Sequence, residues 1–108
     1  MFWNWGGADN RIDQKTAREM MDAGDVVVVD VRTPGEYASG RIENAILLPL
    51  DTIGYDAGNK LPDKEKNILV YCLSGSRSRT AATILARAGY KNVYDFGGIG
   101  SWPYEIVR

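Results

Sequence analysis

Apolar positions along this chain come in two textures that alternate. Val26 to Val31, Ala45 to Leu48, Ile68 to Tyr71 and Val93 to Phe96 are short, nearly continuous apolar runs dominated by β-branched, leucine and aromatic residues. Runs of that length predict strands covered on both faces. Between them the apolar positions recur at helical spacing. Ala17, Met20 and Met21 form the apolar face of a helix from about Gln14 to Asp22, with Asp13 as its N-cap and Gly24 at its end. Thr33-Pro34-Gly35-Glu36 spells an N-cap, a proline at the first helical position and a glutamate two residues further on, so a short helix runs from Pro34 to about Ala38. Ala81, Ile84, Leu85 and Ala88 fall at i, i+3, i+4 and i+7, and Gly89 stands where a helix-terminating glycine belongs. Asp51 is a candidate cap for one more helix, against which Gly54 and Gly58 argue. Ile12 is read as a short strand residue, Gly97 to Gly100 as a turn passing close to another element, and Trp102 as a core aromatic. Strands alternating with helices predict one α/β domain with a parallel sheet.

Asp30 interrupts the first apolar run, where local capping or pairing with Arg32 is its expected role. The aromatic start, Phe2-Trp3-Asn4-Trp5 followed by two glycines, lies outside the pattern. Residues 1–10 are therefore expected to be a flexible arm and residues 11–108 the domain.

At 108 residues and a net charge of −1, the composition is that of a single soluble domain and argues against a dedicated nucleic-acid partner. The charge is unevenly placed. Lys66, Arg77, Arg79, Arg87 and Lys91 lie in a window from 66 to 94 that contains no acid. No apolar run approaches the roughly 20 residues of a membrane span. With one cysteine no internal disulfide exists, and a reducing, cytoplasmic setting is expected. The chain has no histidine, which excludes Cys–His and Ser–His–Asp catalysis and histidine-based metal sites. No metal or cofactor is expected.

The chemistry concentrates where the third apolar run ends. Cys72 closes that run, and Leu73, Ser74, Gly75, Ser76, Arg77 and Ser78 lead into the last helical pattern. A thiol there lies under backbone N–H groups at a helix N-terminus, which favours a thiolate and binds anions. Gly75 supplies the backbone freedom for a curled loop, and the serines and Arg77 supply further donors. Cys72 is the candidate nucleophile, and Leu73 to Ser78 are the candidate substrate-binding residues.

Three segments resemble the rhodanese-like sulfurtransferase family. Asp30-Val31-Arg32-Thr33-Pro34-Gly35-Glu36-Tyr37 with Gly40-Arg41-Ile42-Glu43-Asn44-Ala45 resembles its early signature, Cys72 to Ser78 its active-site loop, and Gly97-Gly98-Ile99 with Trp102 its closing signature. The resemblance implies a five-stranded parallel sheet with helices on both faces. It also implies a cysteine that carries sulfur as a persulfide. The implied partners are a small sulfur donor such as thiosulfate, a thiol or cyanide acceptor, and a sulfur-relay protein. Arg41 stands where the family often has histidine. Leu73 stands where thiosulfate-using members often carry a charge, which leaves the donor open. Two alternatives remain at this level. One is a cysteine phosphatase or arsenate reductase, although the phosphatases of this fold have five residues between cysteine and arginine and this chain has four. The other is a non-enzymatic sulfur carrier or redox-sensing module.

Overall fold

The computed structural model describes residues 10–108. The arm expected at the N-terminus lies outside the described residues except for Asn10, which is buried. Helix α1 (Gln14–Ala23) precedes strand β1 (Val26–Asp30), followed by α2 (Pro34–Ser39), β2 (Ile46–Leu47), α3 (Ile53–Lys60), β3 (Asn67–Cys72), α4 (Ser76–Arg87) and β4 (Asn92–Gly98). A 3-10 turn over Ile99–Ser101 closes the order. The strands lie in the order β2-β1-β3-β4 and all pair in parallel. The strand that carries Cys72 is therefore flanked on both sides.

The local signals act as their chemistry demands. The Asp13 carboxylate accepts the Thr16 N–H at 2.7 Å and starts α1. Thr33 and Glu36 close a reciprocal capping box on α2; such a cap is worth about 1 kcal/mol. Gly89, just past α4, takes the positive φ that ends a helix. The candidate cap Asp51 is exposed, and α3 begins behind Thr52 with no side-chain cap.

Side-chain alternation divides the core in two. Val29, Val31, Ile68, Val70 and Cys72 face one layer, with Leu48, Ile53, Ala81 and Leu85. Val28, Leu69, Tyr71 and Phe96 face the other, with Ala17, Ile42 and Trp102. Trp102 packs against Phe96 and Tyr104, with ring centroids 5.3 and 4.9 Å away.

The resemblance implies five strands; the described residues form four. Beside β4 the described residues add one bridge, Arg11 to Asp95. Ile12 N–H reaches the Asp95 carbonyl at 2.9 Å, and Asp95 N–H reaches the Asn10 carbonyl at 3.0 Å. Asp13 then caps α1, so after Ile12 the chain turns out of the sheet.

Candidate active site

Cys72 is the last residue of β3, 1% exposed, and Sγ lies beneath the loop that joins β3 to α4. Gly75 holds φ at 106°, left-handed backbone that a glycine adopts without strain, and its N–H donates to Sγ at 3.0 Å. The Cys72 S–H donates to Ser78 Oγ at 3.5 Å. Burial pushes the thiol up. Against it act the Ser78 hydroxyl and the N–H groups of Ser78, Gly75 and Ser74, and the balance leaves Cys72 below its ordinary value. Gly75 caps α4 without a side chain, so no hydroxyl or carboxylate competes for the first-turn N–H groups.

The loop is held against the start of the closing turn. Gly100 N–H donates to the Leu73 carbonyl at 3.0 Å. A Cβ on Gly98 would collide with that carbonyl and come within 2.7 Å of Ser74 Cα. The expected close approach at Gly97 to Gly100 is therefore an approach to the cysteine loop, and only glycine fits at 98.

The candidate binding residues divide by position. Leu73, Ser74 and Ser76 are exposed around the loop, with Leu73 at 48%. Gly75 and Ser78 are buried. Arg77 is half-buried and forms a bidentate pair with Glu36 on α2, at 2.8 and 2.9 Å. That pairing holds the Glu36 carboxyl at about 2. Glu36, read in the sequence only as a capping residue, thus also anchors the loop's arginine. Arg77 borders a cavity of about 500 Å³ over the C-terminal ends of β1 and β2, whose other lining includes Val31, Thr33, Pro34, Leu50 and Thr52. Val31 N–H bonds the Tyr71 carbonyl at 3.1 Å, so Val31 lies beside Cys72 on the same face of the sheet. The crevice at the carboxyl ends of parallel strands, where ligands of open α/β sheets bind, is here adjacent to the thiol.

Two residues that sequence reasoning passed over complete the surroundings. Asp95 on β4 accepts the Ser78 hydroxyl at 2.7 Å, and Arg11 pairs with Asp95 while reaching the Gly75 carbonyl. A signal existed for Asp95, an acid in an otherwise apolar run. Arg11 had none.

The sequence profile described as "Rhodanese-like domain" matches residues 13–104. A sulfurtransferase of Allochromatium vinosum is 38% identical over 95 residues, covering 86% of this chain and 87% of that protein. A tRNA uridine(34) hydroxylase of Yersinia pestis is 40% identical over 88 residues, but the chain spans only 24% of its length. A solved structure described as a rhodanese with anions from E. coli superposes with a TM-score of 0.72 at 31% identity, covering 77% of this chain and 98% of the other.

Proposed function

Because this chain belongs to the rhodanese-like sulfurtransferase family, we propose that it moves sulfane sulfur from thiosulfate or a related donor to a thiol or cyanide through a persulfide on Cys72. The observation that carries this reading is the thiol itself, buried at the end of β3 with backbone N–H groups around it and the Ser78 hydroxyl beside it. The Cys72 thiolate attacks the outer sulfur of thiosulfate. The S–S bond of the donor breaks, its electron pair leaves with sulfite, and Cys72 is left carrying one extra sulfur as a persulfide anion. An acceptor thiolate, or cyanide, then attacks the outer sulfur. It departs as a new persulfide or as thiocyanate, and the Cys72 thiolate is restored. No step needs a proton-transferring histidine, in keeping with a chain that has none.

The loop's N–H groups that lower the thiol also suit the persulfide anion, since both are negative sulfur in nearly the same place. The cavity beside Val31 and Arg77 gives the donor or acceptor a place to stand, and Arg77 supplies positive charge there. A reducing compartment, such as the cytoplasm, keeps the thiol free between turnovers.

Intact mass after incubation with thiosulfate tests the reading. The protein gains one sulfur atom, and cyanide removes it with release of thiocyanate. Cys72→Ser neither gains sulfur nor turns over, while its circular dichroism matches the parent because oxygen replaces sulfur with little change in packing. Sulfur transfer in Cys72→Ser would overturn the assignment. Hydrolysis of an aryl phosphate by a parent that never gains sulfur would point instead to the phosphatase reading.

A further inference from the structure

Asp95 is 1% exposed in the middle of β4, where an unpaired carboxylate would be costly. Both its oxygens are occupied. Oδ2 accepts from the Arg11 guanidinium, at 2.9 Å from Nε and 2.7 Å from Nη2. Oδ1 accepts from the Ser78 hydroxyl at 2.7 Å and from Gly97 N–H at 3.0 Å. Arg11 Nη2 also donates to the Gly75 carbonyl at 2.9 Å. A Cβ on Gly75 would stand 3.2 Å from that nitrogen, so the guanidinium lies directly against the loop.

The Ser78 hydroxyl has one hydrogen and several acceptors in reach: Asp95 Oδ1 is nearest at 2.7 Å, the Gly75 and Gly97 carbonyls stand at 3.2 and 3.3 Å, and Cys72 Sγ at 3.5 Å. While Cys72 is a thiol, its S–H donates to Ser78 Oγ and the Ser78 hydrogen goes to Asp95. Once Cys72 is a thiolate, sulfur needs that hydrogen and competes with Asp95 for it. The outcome depends on how well Asp95 is satisfied by its other donors, and the charged one is Arg11. Of the other charges around the site, Arg77 on α4 is paired with Glu36 from α2 and still acts on the sulfur through space, and Asp30 at the end of β1 is held by Arg32.

Given Cys72 as the nucleophile of the proposed sulfur transfer, we infer that Arg11 and Asp95 are positioning residues for it. The pair sets whether the Ser78 hydroxyl gives its hydrogen to the carboxylate or to the sulfur, and Arg11 ties down the loop through the Gly75 carbonyl. The two members act in opposite senses on the thiolate. Without Arg11, Asp95 holds the Ser78 hydrogen more tightly and its own negative charge stands uncompensated near the sulfur. Without the Asp95 charge, the hydrogen is freed for the sulfur and Arg11 adds an unopposed positive charge.

The test uses Arg11→Ala, Arg11→Lys, Asp95→Asn and the double variant Arg11→Ala/Asp95→Asn. Three quantities are read: the pH midpoint of Cys72 alkylation by iodoacetamide, kcat/KM for thiosulfate with cyanide, and thermal unfolding. Arg11→Ala is expected to raise the alkylation midpoint and to lower kcat/KM by about tenfold, the effect of losing one hydrogen bond from a charged group. Arg11→Lys recovers part of both. Asp95→Asn, which keeps the side chain's shape, lowers the midpoint, and the double variant returns it toward the parent. Packing support alone would move both single variants the same way, or lower the melting temperature with the midpoint unmoved, and either result overturns the inference. If the parent itself never takes up sulfur from thiosulfate, the sulfur-transfer reading fails. The alkylation midpoints still decide the roles of Arg11 and Asp95.

Discussion

Asp30 and Asp95 are both buried carboxylates on strands that flank β3, and they do different work. Asp30 pairs in register with Tyr71 and Asp95 with Val70, so the two acids lie on either side of the strand that ends in Cys72. Asp30 is satisfied close to home. It takes the Arg32 guanidinium at 2.7 Å and the Arg32 N–H at 2.9 Å, both two residues away, and the Tyr71 hydroxyl at 2.6 Å. Arg32 passes on to the Gly40 carbonyl at 2.6 Å, and Ile42 N–H bonds the Tyr71 oxygen at 3.1 Å. This cluster pins the β1–α2 connection and the segment after α2; Arg32 lines the cavity beside Arg77, but none of the cluster's hydrogen bonds reaches the thiol. Asp95 draws its cation from Arg11, 84 residues away in sequence, and its hydroxyl from the residue that touches Sγ. The same side chain in the same kind of place is structural when its partners are local. It becomes part of the site when tertiary structure places the reactive group's neighbours against it.

The largest effect expected from breaking this contrast is on stability. Asp30→Ala leaves Arg32, 4% exposed, as an uncompensated buried charge, and such a loss costs roughly 3–5 kcal/mol. Denaturant unfolding measures it. Per folded molecule, kcat/KM stays near the parent value, and a collapse of activity at unchanged stability would erase the distinction between the two acids.

A smaller effect, this time on catalysis, comes from Arg77. Arg77→Ala removes the charged fork beside the cavity, at roughly 1.5–3 kcal/mol for a hydrogen bond to a charged group, or about one to two orders of magnitude in kcat/KM for thiosulfate. Arg77→Lys loses less, because it keeps the charge but not the planar fork. Arg87→Ala, an exposed residue at the far end of α4, changes little. Equal losses at 77 and 87 would mean diffuse electrostatics rather than a specific contact.

The smallest effect is acid-dependent. Glu36 is held at about 2, first by Arg77 and then by the α2 cap. A depressed carboxyl contributes stability that is present above its unfolded value and lost as pH falls through the folded one, so this contribution disappears between about pH 4.5 and 2. For a pair about one-third exposed, screening limits it to about 1 kcal/mol. Glu36→Gln should flatten that part of the pH–stability curve relative to the parent. An unchanged acid limb would show that the Glu36–Arg77 pair adds nothing to stability.

What the sequence by itself determined was whatever closes within a few residues. Asp13 reaches Thr16, Thr33 and Glu36 satisfy each other, Asp30 finds Arg32, and Gly75 supplies the φ that the cysteine loop requires. Such contacts depend on backbone geometry that the residues themselves impose. The apolar runs likewise announced strands covered on both faces, because a strand between two helical layers has no polar side. The tertiary structure decided the rest. Arg11 stands beside Asp95 only because the chain bridges β4 before α1 begins, and among the described residues that bridge stands where a fifth strand was expected. Glu36 grips Arg77 across 41 residues because β1 and β3 are neighbours, which brings α2 and the start of α4 to the same end of the sheet. Side chains that far apart are matched by strand order, and strand order follows from how the whole core packs rather than from the pattern of any one segment.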